Sequence, residues 1–114
     1  MDNPVIDQAT YTELESNVGA DFIGELVETY LDETPQLLIE LQQALQTGNT
    51  DAFRRAAHSI KSSSASFGAL NFSNQAKELE MMGKSGDLNA APGKIDDFLA
   101  AYQQVAAALR EMVK

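Results

Sequence analysis

The chain of 114 residues contains no cysteine and no tryptophan, and it has a single histidine. Without cysteine it can form neither a disulfide framework nor a metal site with thiolate ligands. One histidine would need several further ligands from scattered carboxylates to hold a metal ion such as zinc. We therefore predict that the chain binds no metal.

Basic residues are also few, since eight Lys and Arg against 17 Asp and Glu give a net charge of −9 at pH 7. Nucleic acids and anionic membranes attract basic surfaces, so we expect the chain to bind neither. No apolar run approaches the roughly 20 residues of a membrane-spanning helix. The first residues, MDNPVIDQAT, lack the basic and apolar regions of a secretion signal. These absences predict a soluble cytoplasmic protein.

Helical periodicity is what the sequence does have, and no segment shows the two-residue alternation of a strand. With 44% hydrophobic residues the chain can close one core, so we predict a single domain over residues 1–114. Four long amphipathic helices joined by short turns favour an all-α, up-down four-helix bundle with a short additional N-terminal helix. The predicted segments are Asp7 to about Asn17, a long second helix kinked at Pro35, roughly Asp51 to Phe67, a fourth from near Leu70, and a last helix after a loop at 83–93.

The stretch AHSIKSSSASFGA, residues 57–69, carries the histidine, His58, on the predicted third helix. With 3.6 residues per turn, a core stripe runs from Phe53 through Ser64 to Phe67, and His58 lies about 140° away from Phe53. We therefore expect an exposed imidazole. Its face also holds Arg54, Arg55, Lys61, Ser62 and Ala65. Three further serines share a flank that suits close approach of another helix, where their hydroxyls can bond back to a carbonyl one turn earlier: Ser59, Ser63 and Ser66.

This face of the helix favours nucleophilic chemistry at a surface. Positive neighbours favour the neutral imidazole, which is the nucleophilic form. Lys61 and Arg54 lie one turn to either side of His58 and could stabilise an anion attached to the ring. Ser62 and Ala65 are short, which leaves the ring protruding toward a second protein. A reactive phosphoryl group suits such a site.

These residues resemble the signature of histidine-containing phosphotransfer (HPt) domains, commonly Ala-His-x-Leu-Lys-Gly-Ser-Ser-x-x-x-Gly-Ala. The similarity extends from about Tyr11 to Glu80. Ile60 replaces the leucine, and Ser62 stands where the family usually has glycine, beside the imidazole. The residues that match are Ala57, His58, Lys61, Ser63, Ser64, Gly68 and Ala69.

The resemblance implies a phosphorelay intermediate without independent catalytic activity. His58 would accept a phosphoryl group from a receiver-domain aspartate and pass it reversibly to another receiver. Lys61 would balance the phosphate charge, and Ser62 would sit beside the imidazole. Arg54 and Ala65, which helix geometry places on the same face, are further candidates for stabilising the phosphate or contacting the partner. Mg²⁺ would belong to the receiver, and this chain, a monomer, would bind no cofactor; its partners would be response-regulator receiver domains, a hybrid sensor histidine kinase, or both. The remaining motif residues would serve packing and helix termination: Ser63, Ser64, Gly68 and Ala69.

Two other functions fit parts of the sequence. An acidic helical adaptor would dock partners through its amphipathic helices, with His58 incidental. A small hydrolase would use Ser62 and His58 as a nucleophile–base pair, but no third group to orient the ring and no oxyanion site are evident. Phe22 and Ile23 on the second helix are candidates for a receiver-docking patch.

Overall fold

A computed structural model of the chain describes residues 5–113, and in that range it contains five α-helices and no strand. Pro35 lies inside the second helix, so the prediction of one continuous helix across it is confirmed. The last loop is shorter than predicted, because the fourth helix continues through Gly83 to Ser85. The helices are α1 Gln8–Val18, α2 Ala20–Thr47, α3 Thr50–Ser66, α4 Leu70–Ser85 and α5 Pro92–Met112.

Each long helix packs on two of the others. α3 contacts α2 and α4, and α5 also contacts α2 and α4, while α1 contacts α2 and α3. The core between them includes Phe53 and Ile60 from α3, both fully buried. Phe72 of α4 stacks on Phe98 of α5 with ring centroids 4.5 Å apart. No helix between residues 5 and 113 combines the length and apolar character needed to cross a membrane.

A buried hydrogen bond of 2.7 Å joins the Tyr30 hydroxyl on α2 to the Ser64 hydroxyl on α3. Ser64 is fully buried, as its place on the core stripe predicts. Burial raises the pKa of Tyr30 to about 12. Because a buried hydroxyl left without a partner costs about 1–3 kcal/mol, this pair fixes how α3 sits against α2.

The turn between α3 and α4 holds the beginning of α1. Gly68 has a φ of +89°, a conformation that favours glycine. Its carbonyl accepts a hydrogen bond of 2.7 Å from the Asp7 amide. A Cβ at Gly68 would lie 2.7 Å from the Asp7 carbonyl oxygen. α1 then adds one buried residue to the core, Tyr11, whose buried hydroxyl has no hydrogen-bond partner among residues 5–113.

Candidate functional site

The site lies beside a close approach of α3 and α4. A Cβ added at Gly83 of α4 would lie only 2.9 Å from the nitrogen, Cα and Cβ of Arg54 on α3. Gly83 lacks that atom, so the two backbones can meet at this level. Glu80 precedes Gly83 by about one helical turn and therefore faces the same way, toward α3.

Glu80 links the two site residues of α3. Its Oε2 lies 2.7 Å from Nδ1 of His58, and its Oε1 lies 2.7 Å from Nζ of Lys61. The Glu80 side chain is 15% exposed, whereas that of His58 is 55% exposed. The hydrogen bond from Lys61 and then that from His58 lower the pKa of Glu80, against the opposing effect of desolvation. Glu80 is therefore a carboxylate at neutral pH.

This contact decides which ring nitrogen of His58 is free. A carboxylate only accepts hydrogen bonds, so Nδ1 donates to Glu80 and carries the ring proton. In the neutral imidazole the lone pair available for reaction is then on Nε2. An orienting carboxylate that accepts from one nitrogen and a free lone pair on the other nitrogen are the arrangement that prepares a histidine to act as a nucleophile.

The sequence analysis placed His58 among cations of its own helix, and the structure adds a carboxylate from α4, Glu80. Arg54 does not stand free: its guanidinium lies 2.9 Å from a carboxylate oxygen of Asp51 on the same helix, and Arg55 lies 3.0 Å from the other oxygen. Of the two cations expected to meet a bound anion, Lys61 is the one in the same contact network as His58.

The remaining motif residues divide between the His58 face and the helix packing. Ser62 is exposed and Ala65 is half-buried on α3. The Ser63 hydroxyl donates to the Ser59 carbonyl at 3.0 Å, as helical serines are expected to do. Gly68 and Ala69 are buried in the turn after α3.

A groove between α2 and α3 runs beside His58. Its α2 side includes Leu26, Glu33 and Leu37, and its α3 side includes His58 and Ser62. Of the two residues predicted to help dock a receiver, Phe22 is 47% exposed but Ile23 is 4% exposed and lies in the core. Ile23 therefore cannot contribute a contact surface.

No three His, Cys, Asp or Glu side chains within residues 5–113 are close enough together to hold a metal ion. The His58–Glu80–Lys61 cluster brings together an imidazole, a carboxylate and a cation, and the imidazole is partly open to solvent.

This chain is similar to known proteins in sequence and in fold. A family model described as the Hpt domain matches residues 25–111. Phosphorelay protein LuxU of Vibrio vulnificus (strain YJ016) is 31% identical over 83 residues, 73% of this chain and 72% of the relative. LuxU of Vibrio harveyi is 25% identical over 100 residues, 88% of each chain. The crystal structure of histidine-containing phosphotransfer protein B (HptB) from Pseudomonas aeruginosa PAO1 matches with a TM-score of 0.91 at 28% identity, covering 98% of this chain and 96% of that one.

Proposed function

Because the chain belongs to the Hpt domain family, we propose that it is a phosphorelay intermediate that carries a phosphoryl group on His58. The group would come from an aspartyl phosphate of a receiver domain and pass reversibly to another receiver. The observation that carries this proposal is the half-exposed imidazole whose Nδ1 is held by Glu80 at 2.7 Å.

The transfer balances without a further reactant. Nε2 of His58 attacks the phosphorus in line, the N–P bond forms, and the P–O bond to the receiver aspartate breaks with its electrons going to that carboxylate. The ring becomes positively charged while Nδ1 keeps its proton, and the Glu80 carboxylate stabilises that charge. Lys61 adds a positive charge one turn from the ring. The reverse step on another aspartate restores the neutral imidazole.

The receiver, and not this chain, would supply the catalytic groups and the metal ion. This chain acts as a phosphocarrier without independent catalysis, and Mg²⁺ is held by the receiver, so this chain needs no cofactor. Ser62 and Ala65 contact the receiver, and Ser63, Ser64, Gly68 and Ala69 serve packing and helix termination. Arg54 contributes less than Lys61 to balancing the phosphate charge, because Arg54 is paired with Asp51.

We further propose that residues 1–114 form one domain, with α2 to α5 as an up-down four-helix bundle and α1 as the additional helix. The contacts of α3 and of α5 with both α2 and α4 support this arrangement. The partners are response-regulator receivers, a hybrid sensor kinase, or both, and the chain is a cytoplasmic monomer.

The test is phosphoryl transfer from receivers of two-component systems. The chain is mixed with Mg²⁺ and a panel of receiver domains that carry radiolabelled aspartyl phosphate, and the labelled chain is mapped by mass spectrometry. We expect label that is labile in acid and stable in alkali, at His58. Label on a serine, or none from any receiver, would overturn the proposal and favour an adaptor.

Glu80→Gln is expected to slow acceptance of the phosphoryl group about 10- to 100-fold, because a hydrogen bond to a charged group contributes about 1.5–3 kcal/mol. The amide keeps an acceptor for Nδ1 but loses the charge that stabilises the ring and holds Lys61. The measurement is the single-turnover rate from one phosphorylated receiver. Glu78→Gln, an exposed position on the same helix, is the matched control and should transfer at the wild-type rate. Equal transfer rates for Glu80→Gln and Glu78→Gln would show that Glu80 has no part in phosphoryl transfer.

The stability difference between wild type and Glu80→Gln should depend on pH. The pKa of Glu80 is lower in the folded chain than its ordinary value of 4.5. Its contribution to stability is therefore fully present above that value and is lost as the pH falls through the lower, folded pKa. Urea unfolding should show wild type more stable than Glu80→Gln at neutral pH, with the difference shrinking only below pH 4.5.

A further inference from the structure

The charge of the chain is divided unequally along the sequence. Residues 1–53 contain 11 Asp and Glu and no Lys or Arg, whereas residues 54–114 contain all eight basic residues and six acidic ones. The net charges of the two parts are −11 and +2. The groove beside His58 lies on this boundary, since α2 forms one side of it and α3 the other.

The acidic residues of α2 are exposed and lack an ion-pair partner in the part of the chain that the structure describes. Among residues 5–113, none forms an ion pair with a carboxylate of α2. The exposed acids of this helix are Asp21, Glu25, Glu28, Asp32, Glu33 and Glu40. Like charges at such spacing repel one another, and a cation from outside the chain would relieve that repulsion.

Two of these acids border the groove itself. Glu33 lines it together with His58, and Glu40 lines its continuation together with Arg55, with Leu37 shared by both parts. Glu33 and Glu40 are seven residues apart, which places them on one row of α2 about 10 Å apart. Leu26 and Leu37 give the groove an apolar part.

We propose that the acidic row of α2, Glu33 and Glu40, binds a basic helix of the receiver and so orients that receiver over His58. This inference rests on the proposed phosphotransfer at His58. In-line transfer fixes the direction of the N–P–O axis but leaves rotation about that axis free. A helix with two cations two turns apart, next to an apolar side chain, matches the row in charge, spacing and polarity and removes that freedom. A receiver with an acidic surface there is repelled.

The test compares two charge reversals of equal size. In one variant both row residues are reversed, Glu33→Lys and Glu40→Lys. In the control, exposed acids outside the groove are reversed, Glu13→Lys on α1 and Asp96→Lys on α5. Each variant is mixed with the receiver that labels wild type, and the transfer rate is followed against receiver concentration and salt. Phosphoramidate, a small phosphoryl donor that needs no docking, measures the reactivity of His58 alone.

We expect the row variant to lose at least tenfold in the second-order rate constant of transfer from the receiver at low salt, mainly because half-maximal transfer needs more receiver, and to react with phosphoramidate at the wild-type rate. Transfer to the wild-type chain should slow as the salt concentration rises. In the row variant this dependence of the rate on salt should vanish or reverse. An unchanged or faster rate for the row variant, or an equal loss in the control, would overturn this inference while leaving phosphotransfer intact. A wild-type chain that no receiver labels would instead overturn the proposed function.

Discussion

His58→Gln is expected to accept no phosphoryl group from any receiver that labels the wild-type chain, while its free energy of unfolding stays within about 0.5 kcal/mol of wild type. The side chain is 55% exposed, so little packing is lost. The glutamine amide can still donate a hydrogen bond to Glu80, but it has no nucleophilic lone pair. Radiolabel transfer and urea unfolding measure the two effects on one protein preparation.

Ser62→Ala is the matched control for that loss. Ser62 is exposed on the same face of α3 and could itself be taken for the acceptor. The alanine variant should still be labelled at His58, although the rate can differ from wild type because Ser62 lies on the proposed receiver-contacting surface. If label disappears with Ser62 and survives in His58→Gln, the acceptor is the serine and the relay mechanism is wrong.

Gly83→Ala is expected to destabilise the chain by about 1–3 kcal/mol, the usual cost of an atom added to a packed interior. In an open helix the same change stabilises by about 1 kcal/mol, since glycine is a poor helix former. Here the new Cβ would lie 2.9 Å from backbone atoms of Arg54, which cannot rotate away. α3 and α4 must separate, so we also expect Glu80 to lose its contact with His58 and transfer to slow.

Gly24→Ala is expected to stabilise the chain, the opposite effect to Gly83→Ala. Gly24 lies inside α2, and a Cβ there would meet nothing within 4 Å. We expect a gain of about 0.4–1 kcal/mol from the lower entropy of the unfolded chain. Urea unfolding of both variants measures the difference. If Gly83→Ala were stabilised as much as Gly24→Ala, the close approach of α3 and α4 would not exist in solution.

The sequence predicts the helices and the exposure of His58 because both depend on local periodicity. The spacing of Phe53, Ile60 and Ser64 is enough to place the core side of α3, and these three residues are fully buried. The continuity of α2 across Pro35 is predicted in the same way, since the apolar residues on either side of the proline keep one helical phase.

Glu80 could not be found in the same way, because it reaches His58 from another helix and the sequence does not fix how α3 and α4 are aligned. One signal was present: Gly83 lies within the apolar pattern of α4, and a small residue there indicates close approach to a neighbour. Glu80 lies one turn away on that side. The pairing of Arg54 with Asp51 was available from sequence, since residues three apart on a helix are neighbours.

The hydrogen bond between the Asp7 amide and the Gly68 carbonyl bears on which part of the molecule opens first. α1 buries only Tyr11 completely, and the phenol oxygen of Tyr11 finds no hydrogen-bond partner within the described residues, which makes that burial less favourable. Little free energy therefore separates the native state from one in which α1 is released while α2 to α5 stay assembled. The amides of residues 8–18 should exchange with solvent through this partial opening, and the pairing of His58 with Glu80 persists throughout it.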